Sequence, residues 1–326
     1  MKESPLSQGH TNTQEPGEGT MSITPSSVTE NAFAKLNLTL DVTGRRDDGY
    51  HDMLMVMQTV SIADRIVLER VPEPGIHLSC NYRYVPTDER NLAVRAAHIF
   101  LRAIGAGDGE QAISGGVSAL PGIDLRLDKK IPVGAGMAGG SSDAAAVLRG
   151  MNRLFGLPLN RRELEALAEE VGSDVAFCIA GGTQLARGRG EVLEDLPPLP
   201  DCHLVICKPG FSISTPELFR KLDEVSLRRH PDTAGMLAAL NTGDLREAAI
   251  RLYNVFEDVQ DRRMRQISEI KSRLLDHGAL GAVMTGTGSA VFGLFQDPAS
   301  AERCAEELKA EFRFCHTAEP VARLDV

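Results

Sequence analysis

The chain has 326 residues, 42% hydrophobic and 25% charged, a globular composition with apolar side chains enough for two moderate cores, so one or two domains are expected. Thirty-five Lys and Arg stand against 45 Asp and Glu, a formal charge of -10; a chain-wide cationic footprint for nucleic acid or anionic lipid is excluded, and any polyanionic partner is confined to a local site. No stretch approaches the roughly 18 to 20 apolar residues of a membrane span, and the six cysteines lack CxxC spacing, so a soluble cytoplasmic protein with reduced core thiols is expected.

Residues 1–29 are rich in Ser, Thr, Gly, Pro, Gln and Glu and are expected to form a disordered extension, with Met21 as an alternative start. From Asn31 the pattern alternates, with Phe33, Lys35, Asn37 and Thr39 on one face of a strand and Ala34, Leu36, Leu38 and Leu40 on the other. A Gly- and Asp-rich connection at 44–49 leads to an apolar run at 53–60 and a second strand-like segment at 64–71. Leu92, Ala96, Ile99, Phe100 and Ala103 give helical spacing over 91–106, and 123–127 reads as a strand.

A glycine-rich loop at 132–142 then runs straight into an alanine-rich helix, and a helix at 163–171 leads to Gly172, Ser173 and Asp174. The PPLP segment at 197–200 blocks both helix and interior strand and marks an interdomain joint. Helices dominate from there to residue 276, followed by a strand-like run at 282–295 and a last helix near 299–312. The mixed order of strands and helices, without internal repeats, predicts two lobes of α/β or α+β type.

The loop carries the clearest chemistry. Side chains reduced to hydrogen let backbone N–H groups converge on an anion, and the following helix adds its positive end. The helix dipole alone supplies only about 0.3 to 1 kcal/mol at an exposed site, so converging amides carry most of the attraction. Gly134, Gly136 and Gly139 also fit the dinucleotide pattern GxGxxG, but no second strand ending in an acid follows about 20 residues on. The Walker A pattern fails for want of a lysine after Gly140. Phosphate binding remains, against a tight turn that merely packs a helix.

Taken together, AKLNL at 34–38, PVGAGMAGGSSDAA at 132–145 and TGTGSAVF at 285–292 resemble the GHMP kinase superfamily, named for galactokinase, homoserine kinase, mevalonate kinase and phosphomevalonate kinase. GRRDDGYHDM at 44–53, GSDVAF at 172–177 and PGFSISTPELF at 209–219 narrow the resemblance to a branch that phosphorylates a small alcohol borne on cytidine diphosphate, in isoprenoid precursor synthesis. It covers residues 31–316. The resemblance implies an α+β, two-domain GHMP kinase fold: an N-terminal ATP-binding domain over 30–196, like the second domain of ribosomal protein S5, and a ferredoxin-like C-terminal domain over 197–326.

By the same resemblance, Pro132, Val133, Gly134, Ala135, Gly136, Met137, Ala138, Gly139, Gly140, Ser141 and Ser142 wrap the ATP phosphates, with Asn91 and Lys129 around the adenine nucleotide. Asp174 takes the position of the catalytic aspartate with Lys35 beside it. Tyr50 and Phe219 would sandwich the cytosine and His51 would hydrogen-bond its edge; Asn37 and Thr215 would line the region of the alcohol and diphosphate. An ordinary carboxylate is far too weak a base to deprotonate an alcohol in the ground state, so proton transfer is expected to be late and positioning to supply most of the catalysis. No side chain is assigned to a metal; magnesium is expected with ATP, held by phosphate oxygens and water. Asp143 is assigned a structural part at the helix N-terminus. Each residue has an ordinary explanation alone, and the weight rests on their ordered co-occurrence. The rival readings are a mevalonate- or homoserine-type kinase and a non-catalytic nucleotide sensor.

Overall fold

The computed structural model describes residues 25–105, 122–225, 227–259 and 262–326. Most of the expected N-terminal extension, residues 1–24, lies outside them. A first sheet contains β1 (Ser27–Arg45), β2 (His51–Val71), β3 (Gly75–Cys80), β4 (Gly122–Asp128), β5 (Thr183–Gly188) and β6 (Val192–Asp195). A second, four-stranded sheet is built from β7 (His203–Lys208), β9 (Gly281–Met284), β10 (Val291–Phe295) and β11 (Phe314–Ala318), in the order β11-β7-β10-β9. Between β7 and β9 in sequence, the two-residue β8 (Tyr253–Asn254) returns to the first sheet and pairs in parallel with Thr39 and Leu40 of β1.

The helices are α1 (Leu92–Ala103), α2 (Gly139–Leu154), α3 (Arg161–Val171), α4 (Ser173–Ala180), α5 (Thr215–Asp223), α6 (Thr233–Thr242), α7 (Leu245–Ile250), α8 (Met264–Asp276) and α9 (Pro298–Lys309). None of the described helices is long and apolar enough to cross a membrane. α2 lies on β1 and β2, and its Ala144, Ala145 and Ala146, all buried, let the helix come close to the sheet. α8 and α9 pack on the second sheet.

Two apolar cores form, and β1 belongs to both. Ala32, Leu40 and Val42 pack with α1, α2 and α4, whereas Ala34, Leu36 and Leu38 pack with Ile131, Met137, Leu204 and Phe292. The face carrying Lys35, Asn37 and Thr39 is buried as well, so the amphipathic alternation of a half-solvated strand does not hold here. Bulges between Phe33 and Lys35 and between Asn37 and Thr39 re-aim these side chains.

Several element boundaries differ from the sequence expectation. β1 begins at Ser27, because Val28 and Glu30 already alternate inward with Thr29 outward. The two segments expected at 53–60 and 64–71 are one strand, β2, which stays paired with β1 across both. The strand-like run at 282–295 is two strands, β9 and β10, around a turn at 285–290. β7, read as part of a helical region, is a central strand of the second sheet. The proline segment at 197–200 links β6 to β7, and the Leu199 amide donates to Thr183 Oγ1 at 3.1 Å.

Glu30 and Arg149 anchor α2 to β1. Arg149 is buried, and its guanidinium donates to Glu30 Oε2 at 3.2 Å, to the Cys178 carbonyl at 2.7 Å and to the Asn31 carbonyl at 2.9 Å. Burial pulls its pKa down from the usual arginine value, and the Glu30 charge opposes that. Arg149→Ala leaves the Cys178 and Asn31 carbonyls without this donor and Glu30 with Arg153 alone, so urea denaturation should show a loss of about 2 to 3 kcal/mol. A loss below about 1 kcal/mol, the worth of an exposed ion pair, would contradict the anchoring role.

Candidate active site

Residues of β1 and β2, the loop before α2, the start of α4, α5 and the 285–290 turn between β9 and β10 enclose a cavity of about 1050 Å³. Its floor is the glycine loop. Gly136 has a φ of +77°, and a Cβ there would meet the Thr285 carbonyl at 2.2 Å; one on Gly286, φ +55°, would meet the Gly136 carbonyl at 2.7 Å. The loop and the 285–290 turn therefore touch backbone to backbone, which only glycine permits. Ala138 holds a left-handed φ of +56° at the start of α2, a conformation costing an alanine about 1 to 2 kcal/mol.

The loop's carbonyls point into the protein. Ala135 accepts from the Ala290 amide at 3.1 Å and Met137 from the Lys35 amide at 3.2 Å. Its amides from Gly136 to Ser141 donate to no acceptor among the described residues, and the loop lines the cavity with the N-terminus of α2 beneath it. That is the anion cradle expected of the sequence. Ser142 differs: it is buried within α2, outside the cavity lining, and its hydroxyl donates to the Phe33 carbonyl at 2.6 Å. Its part is to tie the helix to β1.

Lys35 and Asp174 meet at one side of the cavity, Nζ to Oδ2, at 3.6 Å. Asp174 sits in the first turn of α4 with its side chain one-third exposed, and Lys35 is buried. The ammonium donates to Asn37 Oδ1 at 2.7 Å. Asn37 itself is 0% exposed and absent from the cavity lining, contrary to its expected place beside a substrate. Its carboxamide is consumed internally: Oδ1 also accepts from the Gly286 amide at 3.0 Å, and its backbone N donates to Thr285 Oγ1 at 3.0 Å. Asn37 thus acts on the cavity through Lys35.

Lys129 lies against the loop, ion-paired to Asp143 at 2.7 Å and, more closely, to Asp64. Asp64 also accepts from the amides of Lys130 and Ile131, whereas Asp143 Oδ1 is buried without a donor among the described residues. Two carboxylates share one ammonium, and Asp143 is the poorer served. Burial pushes its carboxyl up to about 7, against the pull of Lys129 and with the Asp64 charge adding to the rise. Burial pulls Lys129 down, but the two carboxylates outweigh it and hold the ammonium above its ordinary value. Asn91 caps α1 by accepting from the Ala93 amide at 2.9 Å while facing the same cavity.

The opposite side is aromatic. Tyr50 is 56% exposed, with the Arg189 guanidinium 4.7 Å from its ring centroid. Phe219 stacks on His51, ring centroids 4.7 Å apart and 27° between planes, rather than on Tyr50. His51 Nε2 lies 2.7 Å from Asp223 Oδ1, and Arg45 approaches the other Asp223 oxygen at 3.5 Å. Thr215 Oγ1 bonds Thr287 Oγ1 at 2.8 Å, joining α5 to the 285–290 turn. Asp64, Asp223, Arg189 and Thr285 were not among the residues singled out in the sequence; only Thr285 lay within a recognised motif, and nothing in sequence spacing marks the other three.

Comparison with known proteins accords with this geometry. The family model "GHMP kinases N terminal domain" matches residues 91–182 and "GHMP kinases C terminal" matches 236–313. A curated 4-diphosphocytidyl-2-C-methyl-D-erythritol kinase from Lachnospira eligens is 43% identical over 295 residues, 90% of this chain and 98% of that protein. The chain belongs to the 4-diphosphocytidyl-2-C-methyl-D-erythritol kinases, a family of GHMP kinases. A crystal structure of 4-(cytidine 5'-diphospho)-2C-methyl-D-erythritol kinase matches with a TM-score of 0.73 and 34% identity, covering 90% of this chain and 99% of that one. A homoserine kinase from Cytophaga hutchinsonii, TM-score 0.70 at 18% identity over 95% of this chain and 98% of that one, shares the fold. The two-sheet α+β architecture is the two-domain GHMP kinase fold.

The raised carboxyl of Asp143 has a signed consequence. A group whose folded pKa exceeds its unfolded value stabilises the fold at acid pH and loses that contribution as pH rises through the folded value, here about 7. From pH 5 to pH 8, Asp143→Asn should therefore gain about 2 kcal/mol relative to the parent chain. Urea denaturation of both proteins at the two pH values measures this; a difference independent of pH would contradict it.

Proposed function

We propose that this kinase transfers the γ-phosphoryl group of ATP to the 2-hydroxyl of 4-diphosphocytidyl-2-C-methyl-D-erythritol, a cytidine-diphosphate methylerythritol, in non-mevalonate isoprenoid precursor synthesis. One observation carries the reading: a single cavity joins an amide-lined anion cradle, the Lys35–Asp174 pair and an aromatic wall of Tyr50, His51 and Phe219. Small-molecule sites span about 300 to 1,000 Å³, and this cavity lies at the top of that range, with room for two substrates side by side. Its acceptor partner and ATP are both soluble cytoplasmic molecules on this reading, with no part for nucleic acid or membrane. Residues 30–196 and 197–326 are taken as the ATP-binding and C-terminal domains.

The amides from Gly136 to Ser141 receive the β- and γ-phosphates, while Asn91 and Lys129 stand at the nucleotide end. Asp174 accepts the hydroxyl proton as the new bond to phosphorus forms. Lys35, fixed by Asn37, stabilises charge on the attacking oxygen and the transferring group. Because Asn37 holds Lys35 in place before substrate arrives, little reorganisation of the ammonium is needed. Tyr50 and Phe219 take the cytosine faces and His51 its edge; stacking tolerates any base, and hydrogen bonds choose.

Magnesium fits this arrangement as an ion borne by phosphates. Among the described residues no group of three His, Cys, Asp or Glu side chains could hold a metal, yet Asp143 Oδ1 is a buried carboxylate oxygen without a donor, and Asp174 faces the cavity. When bound, the ion would neutralise charge on the phosphate oxygens.

The test is ATP consumption with magnesium and the cytidylated alcohol, with mevalonate and homoserine in parallel. Turnover restricted to the cytidylated alcohol is expected; turnover of either other alcohol, or ATP binding without turnover, would overturn the assignment. Asp174→Asn should retain ATP affinity and lose about 10²- to 10⁴-fold in turnover, the usual worth of a positioned proton acceptor. Undiminished turnover would remove Asp174 from the mechanism.

A further inference from the structure

The hairpin between β5 and β6 turns on Gly188, Arg189 and Gly190, the two glycines at φ of +68° and +120°. Glu191 fixes the turn by accepting from the Arg189 amide at 2.6 Å. Arg189 is thereby presented to the cavity at its aromatic side, stacked on Tyr50. Gly190, the next residue, borders the reacting side: a Cβ there would lie 3.8 Å from Asp174 Oδ1 and 3.8 Å from the Ser173 carbonyl. One short turn therefore touches both ends of the proposed acceptor site.

Charge distinguishes Arg189 from the other cations in the cavity wall. Lys35 is paired with Asp174, Lys129 with Asp64 and Asp143, Arg45 with Asp223, Arg90 with Asp88 and Arg220 with Glu224. Arg189 has no carboxylate within ion-pair distance among the described residues. Asp48 is close enough to feel its charge, but gives its oxygens to the Tyr50 amide and Arg46. A guanidinium stacked on an aromatic ring keeps its N–H edge open for an anion, and two parallel N–H bonds match phosphate oxygens.

The proposed acceptor has a base at one end and the reacting hydroxyl at the other, joined by a diphosphate. We propose that Arg189 receives that diphosphate, its guanidinium staying on one face of Tyr50 while the other face meets the cytosine. The proposal rests on the substrate assigned above. It makes Arg189 a binding residue for the acceptor and not for ATP.

The experiment compares cytidine with cytidine diphosphate. Calorimetry on the full chain, with the nucleotide site filled by a non-hydrolysable ATP analogue, gives the affinity of each for the parent and for Arg189→Gln and Arg189→Lys. In Arg189→Gln the diphosphate should bind about tenfold to a hundredfold more weakly, with cytidine unchanged, as expected for loss of hydrogen bonds to a charged group. Arg189→Lys should fall between, and the KM for the acceptor should rise with the KM for ATP unmoved. Equal losses for cytidine and its diphosphate would mean that Arg189 only props Tyr50, and would overturn the proposal. Failure of the parent chain to bind either compound would instead overturn the substrate reading beneath it.

Discussion

The structure turns on one buried carboxamide. Asn37 Oδ1 accepts from the Lys35 ammonium and the Gly286 amide, and the Asn37 backbone N–H donates to Thr285 Oγ1. Thr285 Oγ1 lies 3.3 Å from the Gly136 carbonyl, and Asn254 Nδ2 donates to the carbonyls of Met284 and Gly286 at 2.8 Å each. β1, the glycine loop, the 285–290 turn and β8 are thus fixed to one another by polar groups centred on the buried side chains of Asn37, Asn254 and Thr285. A typical net hydrogen bond contributes about 1 kcal/mol, but a buried group left without its partner costs about 1 to 3 kcal/mol, so the arrangement resists partial disassembly. Its consequence for chemistry is that Lys35 and the anion cradle share one frame.

The second constraint is charge. An acidic chain that must hold two polyanions has no general field to attract them, and it answers with backbone amides, which carry no charge to be repelled or titrated. Most cations of the cavity wall are neutralised by their own acids, so they contribute fixed dipoles more than net charge. Lys129 shows the limit of that strategy: two carboxylates for one ammonium leave Asp143 protonating near neutrality. The cavity is poised between attraction of phosphate and the cost of burying bare charge.

How much of this was legible in sequence depends on the range of each interaction. The glycine loop was readable because its composition dictates local backbone geometry, and α2 because its alanines follow directly. The proximity of Lys35 and Asp174 was reachable only through family resemblance, and the structure does bring them together. Strand periodicity correctly put Lys35 and Asn37 on one face but could not say what that face meets: Asn37 pairs with Thr285, 248 residues away. The same limit hid Asp64, Asp223 and Arg189, whose meaning comes from partners far along the chain. β8 was unreadable for another reason, since two residues show no period.

The site divides into a shared half and a private half, and the family matches follow the division except at Lys35 and Asn37, which β1 supplies from outside both. The two GHMP matches, 91–182 and 236–313, hold the glycine loop, Asp174 and the 285–290 turn. Tyr50, His51, Thr215, Phe219 and Asp223 all lie outside both. α5 carries Phe219 and Asp223 one helical turn apart, so a single helix supplies both the ring stacked on His51 and the carboxylate holding its Nε2. Any displacement of α5 moves both partners of His51 together and meets the 285–290 turn at the Thr215–Thr287 hydrogen bond, whereas Lys35 is held by Asn37. Substrate identity can therefore change through the β1–β2 connection and α5, while Lys35 and Asn37 of β1 keep the phosphoryl-transfer frame.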